Sequence, residues 1–368
     1  MKITPNKKVL YLPSTPLNTL VSVAHAVSQA SQQTSKLLLI DQNSDEQNVY
    51  FKALKNWKTS PFIAVEAMLG NAKGQQKLIQ RKANFKRLEE LVKQFPADVI
   101  AVGSDRRIEF QYLMHIRRKA SSAVEGWYLD DGLYSYAGRP YHWLKDSVNS
   151  ILKKLSYGFW WEEPKTVGAS SLIKKAWLFR PNIVIPELQV KALNAMPNEW
   201  FIHPSVLDFS QQVLEGFGSD ESCTSLLKKI DVLILTPHPN NILKMPGYKK
   251  RLEELLVKLH KLNLNVAIKP HPKSSEEDFS SWHNEYQVSI IPSLLAFEFV
   301  LPMLKPSMKV VGDVGTSVLT AKWLRSDLEV GAVLNSESKF ESRFVSILNK
   351  LEIPVNNDYE WVLETNCD

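Results

Sequence analysis

The sequence predicts an α/β fold made of two Rossmann-like halves. Three observations predict it. Short apolar runs of strand length alternate with longer stretches of helical spacing along most of the chain. That alternation breaks once, after about residue 141, and resumes near residue 231. Several segments at predicted strand ends are unusual: PSTP (13–16), GSD (103–105), DDG (130–132), TPHP (236–239), KPHP (269–272) and GDVGTS (312–317).

In the first half, KVLYL (8–12) reads as a buried strand, followed by the loop PSTPLN and a helix over about 19–33. KLLLID (36–41) is a second strand. Residues 74–94 place apolar positions at helical spacing among many charges, which predicts a helix with an exposed face. DVIAV (98–102) and GWYL (126–129) are further strands, separated by a helix over 107–119. The second half begins with DVLILT and a helix over 247–261, then NVAIK, VSIIP, a helical SLLAFEFVLPML and MKVVG. GDVGTSVLTAKW then reads as a loop leading into a helix, and VGAVL and a helix near 338–350 complete the series. The expected organisation is a first domain over 1–190, a second over 191–355, and a tail over 356–368 that packs back on the first.

Bulk properties set limits. With 368 residues there is chain enough for two cores. At 44% hydrophobic and 23% charged residues, the composition is globular rather than disordered. Two cysteines, Cys223 and Cys367, exclude a disulfide scaffold and suit a reducing cytoplasm. No apolar run reaches the ~18 residues of a membrane span, and the N-terminal run breaks at Pro13, too early for a signal peptide. The net charge of +6 suits acidic partners without choosing among them.

In open parallel sheets, ligands bind beyond the carboxyl ends of the strands, so the odd strand ends are the candidate site. Gly315, Thr316 and Ser317 open a helix, where free amides and hydroxyls attract anions; a plain helix cap is the simpler account. His-Pro occurs three times, at 203, 238 and 271. His271 follows a strand and lies between two prolines that stiffen its loop. His238 has the same placement one strand earlier, whereas His203 follows no strand and reads as structural. Asp130 and Asp131 are adjacent carboxylates at a strand end, where mutual repulsion raises one pKa and makes a base. A turn, or a magnesium site, is the other account of Asp-Asp-Gly.

In combination these marks resemble the bacterial sialyltransferases and polysialyltransferases of GT-B fold. The residues that carry the resemblance are YLDDG, IKPHP and GTS, supported by GSDRRIEFQYLMH and by a glutamate in PSLLAFEFVLP. The resemblance implies two Rossmann-like domains facing across a central cleft, and inverting transfer of a sialic or related ulosonic acid from a CMP-activated donor to a glycan hydroxyl. No cofactor or metal is implied, and no nucleic acid partner. Carried onto this sequence, Asp131, or Asp130, is the general base and His271 assists departure of the CMP phosphate. Lys269 and Pro272 line the cytosine pocket, Glu298 holds the ribose, and Gly315, Thr316 and Ser317 hold the phosphate. Thr236 and His238 help bind the nucleotide. Ser14, Thr15, Ser104, Asp105 and Arg106 touch the sugars.

Residues 141–177 interleave Trp143, Trp160, Trp161 and Trp177 with Lys145, Lys153, Lys154, Lys165, Lys174 and Lys175. A basic, Trp-bearing segment suits peripheral contact with an anionic membrane. A linking segment with tryptophans in the core, or aromatics stacked on sugars, are the alternatives. Rival activities are a CMP-Kdo transferase and a CDP-glycerol-type phosphotransferase; a basic nucleic-acid-binding protein is the rival outside enzymology.

Overall fold

The structure is a computed structural model that describes residues 6–43, 47–139, 142–218 and 221–364. The chain divides into two units, Met1–Phe209 and Ser210–Asp368, each built around its own sheet.

The first sheet contains β1 (Lys7–Leu12), β2 (Gln33–Gln42), β3 (Phe62–Leu69), β4 (Val99–Val102), β5 (Glu125–Leu129), β6 (Ile173–Leu178) and β7 (Ala192–Ala195). Their order across the sheet is β3-β2-β1-β4-β5-β6-β7, with every pairing parallel. Every residue of β4 is buried, as expected of a parallel strand covered on both faces. The second sheet contains β8 (Val232–Leu235), β9 (Val266–Lys269), β10 (Ser289–Ile290), β11 (Lys309–Gly312), β12 (Glu329–Val333) and β13 (Val355–Asn356). Its order is β10-β9-β8-β11-β12-β13, again all parallel. Both units are therefore the α/β sheets that the alternating pattern predicts.

The helix Tyr248–Lys261 shows how the core is held. Leu252, Leu255, Leu256 and Leu259 fall at helical spacing on one side and are all buried against the second sheet. Burial of each such side chain contributes about 1.5–3 kcal/mol.

Two expected boundaries move. The first unit continues past residue 190, because β7 still pairs with β6. Beyond it, the Trp200 ring lies 5.5 Å from that of Trp177 and Phe201 packs on Phe179. The segment 356–364 belongs to the second unit rather than to the first. β13 pairs with β12, Val362 enters the second core, and Lys309 Nζ donates to the Trp361 carbonyl at 2.9 Å. Residues 365–368 lie outside the described residues.

Candidate active site

The two adjacent aspartates at the end of β5 sit in different surroundings. Asp130 is fully buried and accepts four hydrogen bonds. Ser135 Oγ donates to Oδ1 at 2.6 Å, with the Gly132 amide at 3.0 Å. The Phe179 amide donates to Oδ2 at 3.0 Å, and the Tyr136 hydroxyl donates to the same oxygen. Burial raises its pKa against the pull of these donors. A carboxylate so enclosed fastens the ends of β5 and β6 together. Gly132, at φ +97°, makes the turn that brings its own amide back to Asp130.

Asp131 is half-buried, and among the described residues only Asn18 donates to its carboxylate, Nδ2 to Oδ1 at 2.7 Å. Burial pushes its pKa up to about 6; the Asn18 hydrogen bond and the Arg107 guanidinium oppose the rise and the charge of Asp130 adds to it. One side-chain oxygen is left for a substrate. Of the pair, Asp131 has the geometry of a base and Asp130 that of a structural anchor.

Asn18 is held in turn. It lies on the helix Pro16–Ser28, where Thr15 is the N-cap and its hydroxyl accepts the Asn18 amide at 3.2 Å. Ser14 Oγ donates to Asn18 Oδ1 at 3.1 Å, which fixes the amide with Nδ2 toward Asp131. Gly103 leaves room for it, since a Cβ there would stand 2.2 Å from Asn18 Nδ2. The helix starts at Pro16 rather than near 19, because proline suits a first helical position. Ser14 and Thr15 thus serve Asn18 and the helix cap, where sugar contact was expected of them.

Two further residues expected to touch sugars are engaged by the chain itself. Asp105 is fully buried and accepts the amides of Gly168 at 2.9 Å and Ser170 at 2.8 Å. Arg106 pairs with Glu163 and donates to the Pro164 carbonyl at 2.6 Å. Both side chains clamp the 163–170 segment. Ser104 is half-buried at the same strand end, and its carbonyl accepts the Arg107 amide at 3.1 Å. Arg107, which sequence reading missed, pairs with Asp41 and joins Arg81, Arg106, Lys77 and Lys153 around a cavity of about 310 Å³.

In the second unit, the β8–β9 register places Leu235 opposite Lys269, so the loops TPHP and KPHP run side by side. The His238 and His271 rings lie 4.8 Å apart. Each accepts a backbone amide on Nδ1, His238 from Asn240 at 3.0 Å and His271 from Lys273 at 3.1 Å. In its neutral form each ring therefore carries its proton on Nε2, which can donate. Burial, His238, Lys269 and Lys273 all lower the His271 pKa. Thr236 Oγ1 accepts the His271 amide at 3.2 Å and ties the two loops together. Pro272 continues the rigid turn.

Lys269 is buried, and its ammonium donates to the carbonyls of Pro270 at 2.8 Å and Ser293 at 3.0 Å. It holds these loops from within. Glu298, half-buried in the first turn of Phe297–Val300, has its pKa raised by burial and lowered by its own amide and Lys269. After β11, Thr316 is exposed and Ser317 half-buried at the start of the helix Ser317–Leu324. Asp313, unremarked in the sequence, accepts the Gly315 amide at 3.0 Å; burial pushes its pKa up to about 8, with Glu341 adding to the rise. Because β9, β8 and β11 are neighbours, the two His-Pro loops and the GDVGTS loop share one sheet edge. That edge offers imidazole N–H groups, hydroxyls and helix-start amides, a set suited to a phosphate.

Residues 13–333 match the family described as Alpha-2,8-polysialyltransferase (POLYST). The chain belongs to that family. It is a glycosyltransferase of the sialyl-transferring kind. Solved structures agree on the fold. A galactoside alpha-2,3-sialyltransferase from Photobacterium phosphoreum superposes with a TM-score of 0.56 at 13% identity, covering 96% of this chain and 99% of that one. The GT-B domain of a Photobacterium damselae sialyltransferase gives 0.54 at 13% identity, covering 95% and 97%. A UDP-GlcNAc 2-epimerase from Methanocaldococcus jannaschii gives 0.51 at 12%, covering 97% and 90%. No curated protein matches. The expected GT-B class is therefore the fold found. Within this polysialyltransferase-family chain, no described helix is long and apolar enough to cross a membrane.

The segment 141–177 divides among several roles. Trp161 is buried, Trp160 stacks on His115, and Trp177 lies in β6 against His25, with centroids 4.7 Å apart. Of the four tryptophans, only Trp143 is largely exposed. Residue 141 and the side chain of Lys145 lie outside the described residues.

Proposed function

We propose that the chain transfers a sialic or related ulosonic acid from a CMP-activated donor to a hydroxyl of a bacterial surface glycan, with inversion. The acceptor class would be lipooligosaccharide, O-antigen or capsule, met at the cytoplasmic face of the membrane. The observation that carries the reading is the split between the aspartates. Asp130 is saturated, while Asp131 has a free oxygen and a pKa of about 6, so it is mostly ionised at pH 7 and still basic enough to take a proton.

In the step, an acceptor oxygen forms a bond to the anomeric carbon as the bond from that carbon to the CMP phosphate oxygen breaks. The acceptor proton goes to Asp131 and the bonding pair leaves with CMP. Negative charge grows on the departing phosphate, and the Nε2–H groups of His271 and His238, with Thr316 and Ser317, are the donors that would meet it. Fixed donors at a growing charge typically contribute about 10²–10³ in rate each. A monophosphate leaving group carries less charge than a diphosphate, so the step is written without a metal ion or cofactor. Glu298 is assigned the ribose. The cavity near Arg107, lined by five cations and by the carboxylates of Asp41 and Glu109, keeps an excess of positive charge that suits an acidic sugar of the acceptor.

Calorimetric titration of CMP, CDP, UMP and UDP without metal tests the donor half. Preference for CMP, weakened in His271→Ala, is expected. Preference for a diphosphate would remove the assignment.

A further inference from the structure

The helix Trp143–Tyr157 is built inside out. A surface helix normally turns its apolar stripe toward the core. Here Leu144, Val148, Ile151 and Leu155 follow one another at steps of four, three and four, and so form one stripe. With Trp143 and Leu152 they are 55% to 71% exposed, and Phe159 just beyond is 84% exposed. The polar edge is what turns inward. Asp146, only 1% exposed, accepts the Arg139 guanidinium and the His142 amide, both at 2.9 Å. Lys153, two turns on and on the same side, donates to Glu163 at 3.1 Å and stands 4.1 Å over the buried Trp161 ring. Polar contacts fasten this helix to its unit, and its apolar stripe is left without cover.

The surroundings say what covers it. Lys154 borders the stripe and makes no ion pair among the described residues. The neighbouring helix Gly74–Gln94 exposes Lys77, Leu78, Ile79, Lys82 and Lys86, the same mix of apolar and basic side chains. Its Phe85 ring lies 6.1 Å from that of Tyr157. Fifteen residues make a helix of about 22 Å, far from the ~20 apolar residues of a span but ample to lie along a surface. Aromatic side chains stand at both ends, Trp143 at one and Tyr157 and Phe159 at the other, as in helices that rest at the level of lipid headgroups.

We propose that Trp143–Phe159 docks the enzyme on an anionic bilayer, its apolar stripe among the acyl chains and its lysines among the headgroups. The docking rests on the membrane part of the proposed function. A second copy of the chain is the less fitting occupant, because a twofold pairing of this face would bring its lysines toward their own copies.

The test is sedimentation of the full chain with vesicles of phosphatidylglycerol and phosphatidylethanolamine, against vesicles of phosphatidylcholine alone. Wild type, the triple variant Leu144→Ser/Ile151→Ser/Leu155→Ser, and Lys154→Glu are compared. Binding to the anionic vesicles at least tenfold stronger than to the neutral ones is expected, with a tenfold or larger loss in the triple variant and a smaller loss in Lys154→Glu. Equal pelleting on both lipids, or a triple variant that binds like wild type, overturns the proposal. So does a dimer in gel filtration that the triple variant dissolves without any vesicle binding. The substituted positions are exposed, so the melting temperature should hold; should the triple variant fail to fold, the lipid comparison and Lys154→Glu still decide. CMP binding on the same samples separates the two readings: vesicle binding without CMP binding leaves the docking and removes the donor assignment.

Discussion

Asn18 donates from Nδ2 to Asp131 Oδ1 at 2.7 Å, across a gap of 113 residues in sequence. The bond joins the first helix to the end of β5, and it is the one protein hydrogen bond to that carboxylate among the described residues. Since it favours the charged form, Asn18→Ala should raise the Asp131 pKa above about 6. The acidic limb of the kcat/KM profile would then move to higher pH, and activity at pH 7 would fall with the ionised fraction of Asp131, about twofold for a rise of one pKa unit. A pH profile of the variant checks this. A purely structural role for Asn18 would lower activity without moving the limb.

The two aspartates should separate cleanly. Asp131→Asn should keep the melting temperature and lose about 10²–10⁴ in kcat. Asp130→Asn should do the reverse first, because its new amide would face two donors, either Tyr136 and Phe179 or Ser135 and Gly132. An unsatisfied buried group costs about 1–3 kcal/mol, so a drop of several degrees in Tm is expected. Thermal unfolding beside activity tells the two apart.

His238 and His271 form one donor pair, so their losses should not add. Each alanine variant should weaken CMP binding about tenfold, and the double variant by less than the product. With its pKa lowered by burial and by neighbouring cations, His271 is neutral at pH 7 and donates as an imidazole. Isothermal titration of the three variants measures the coupling.

Asp313 supplies a pH dependence of its own. Its pKa rises from 3.8 to about 8 on folding, so the folded chain holds this proton more tightly than the unfolded one. The stability it contributes is complete below about pH 4 and is lost as pH rises through 8. Above pH 8 its charge would also lie beside the Gly315 amide and repel a phosphate. Asp313→Asn should flatten both trends, in melts and CMP titrations from pH 6 to 9.

Much of the site's address was legible in the sequence, and less of its internal wiring. Strand ends such as DDG, KPHP and GDVGTS stood out because apolar runs are easy to see and ligands gather at their carboxyl ends. In the first sheet β3, β6 and β7 were missed. β6, IKKAWL, has two adjacent lysines that hide its apolar signal: Lys174 points to solvent while Ile173, Ala176 and Leu178 go inward. β7, with ALNA, has almost no apolar signal of its own and is a strand because β6 offers it an edge. Asp105 looked like a sugar ligand because sequence shows its type and not its burial; the Gly168 and Ser170 amides that claim it lie more than sixty residues away. Asn18 carried a faint signal, three residues after the capping Thr15, but its partner Asp131 is visible only once the sheet is assembled. The outward stripe of Trp143–Tyr157 was hidden for a related reason: periodicity reveals an apolar face and not which way it points.

The most direct test of the central claim is a transfer assay with a CMP-activated ulosonic acid, following the nucleotide released by wild type and by Asp131→Asn. The account predicts that wild type releases CMP in step with glycan formation, and that Asp131→Asn binds CMP as tightly yet releases almost none. Turnover that persists in Asp131→Asn, or a wild type that releases a diphosphate and never CMP, would contradict it.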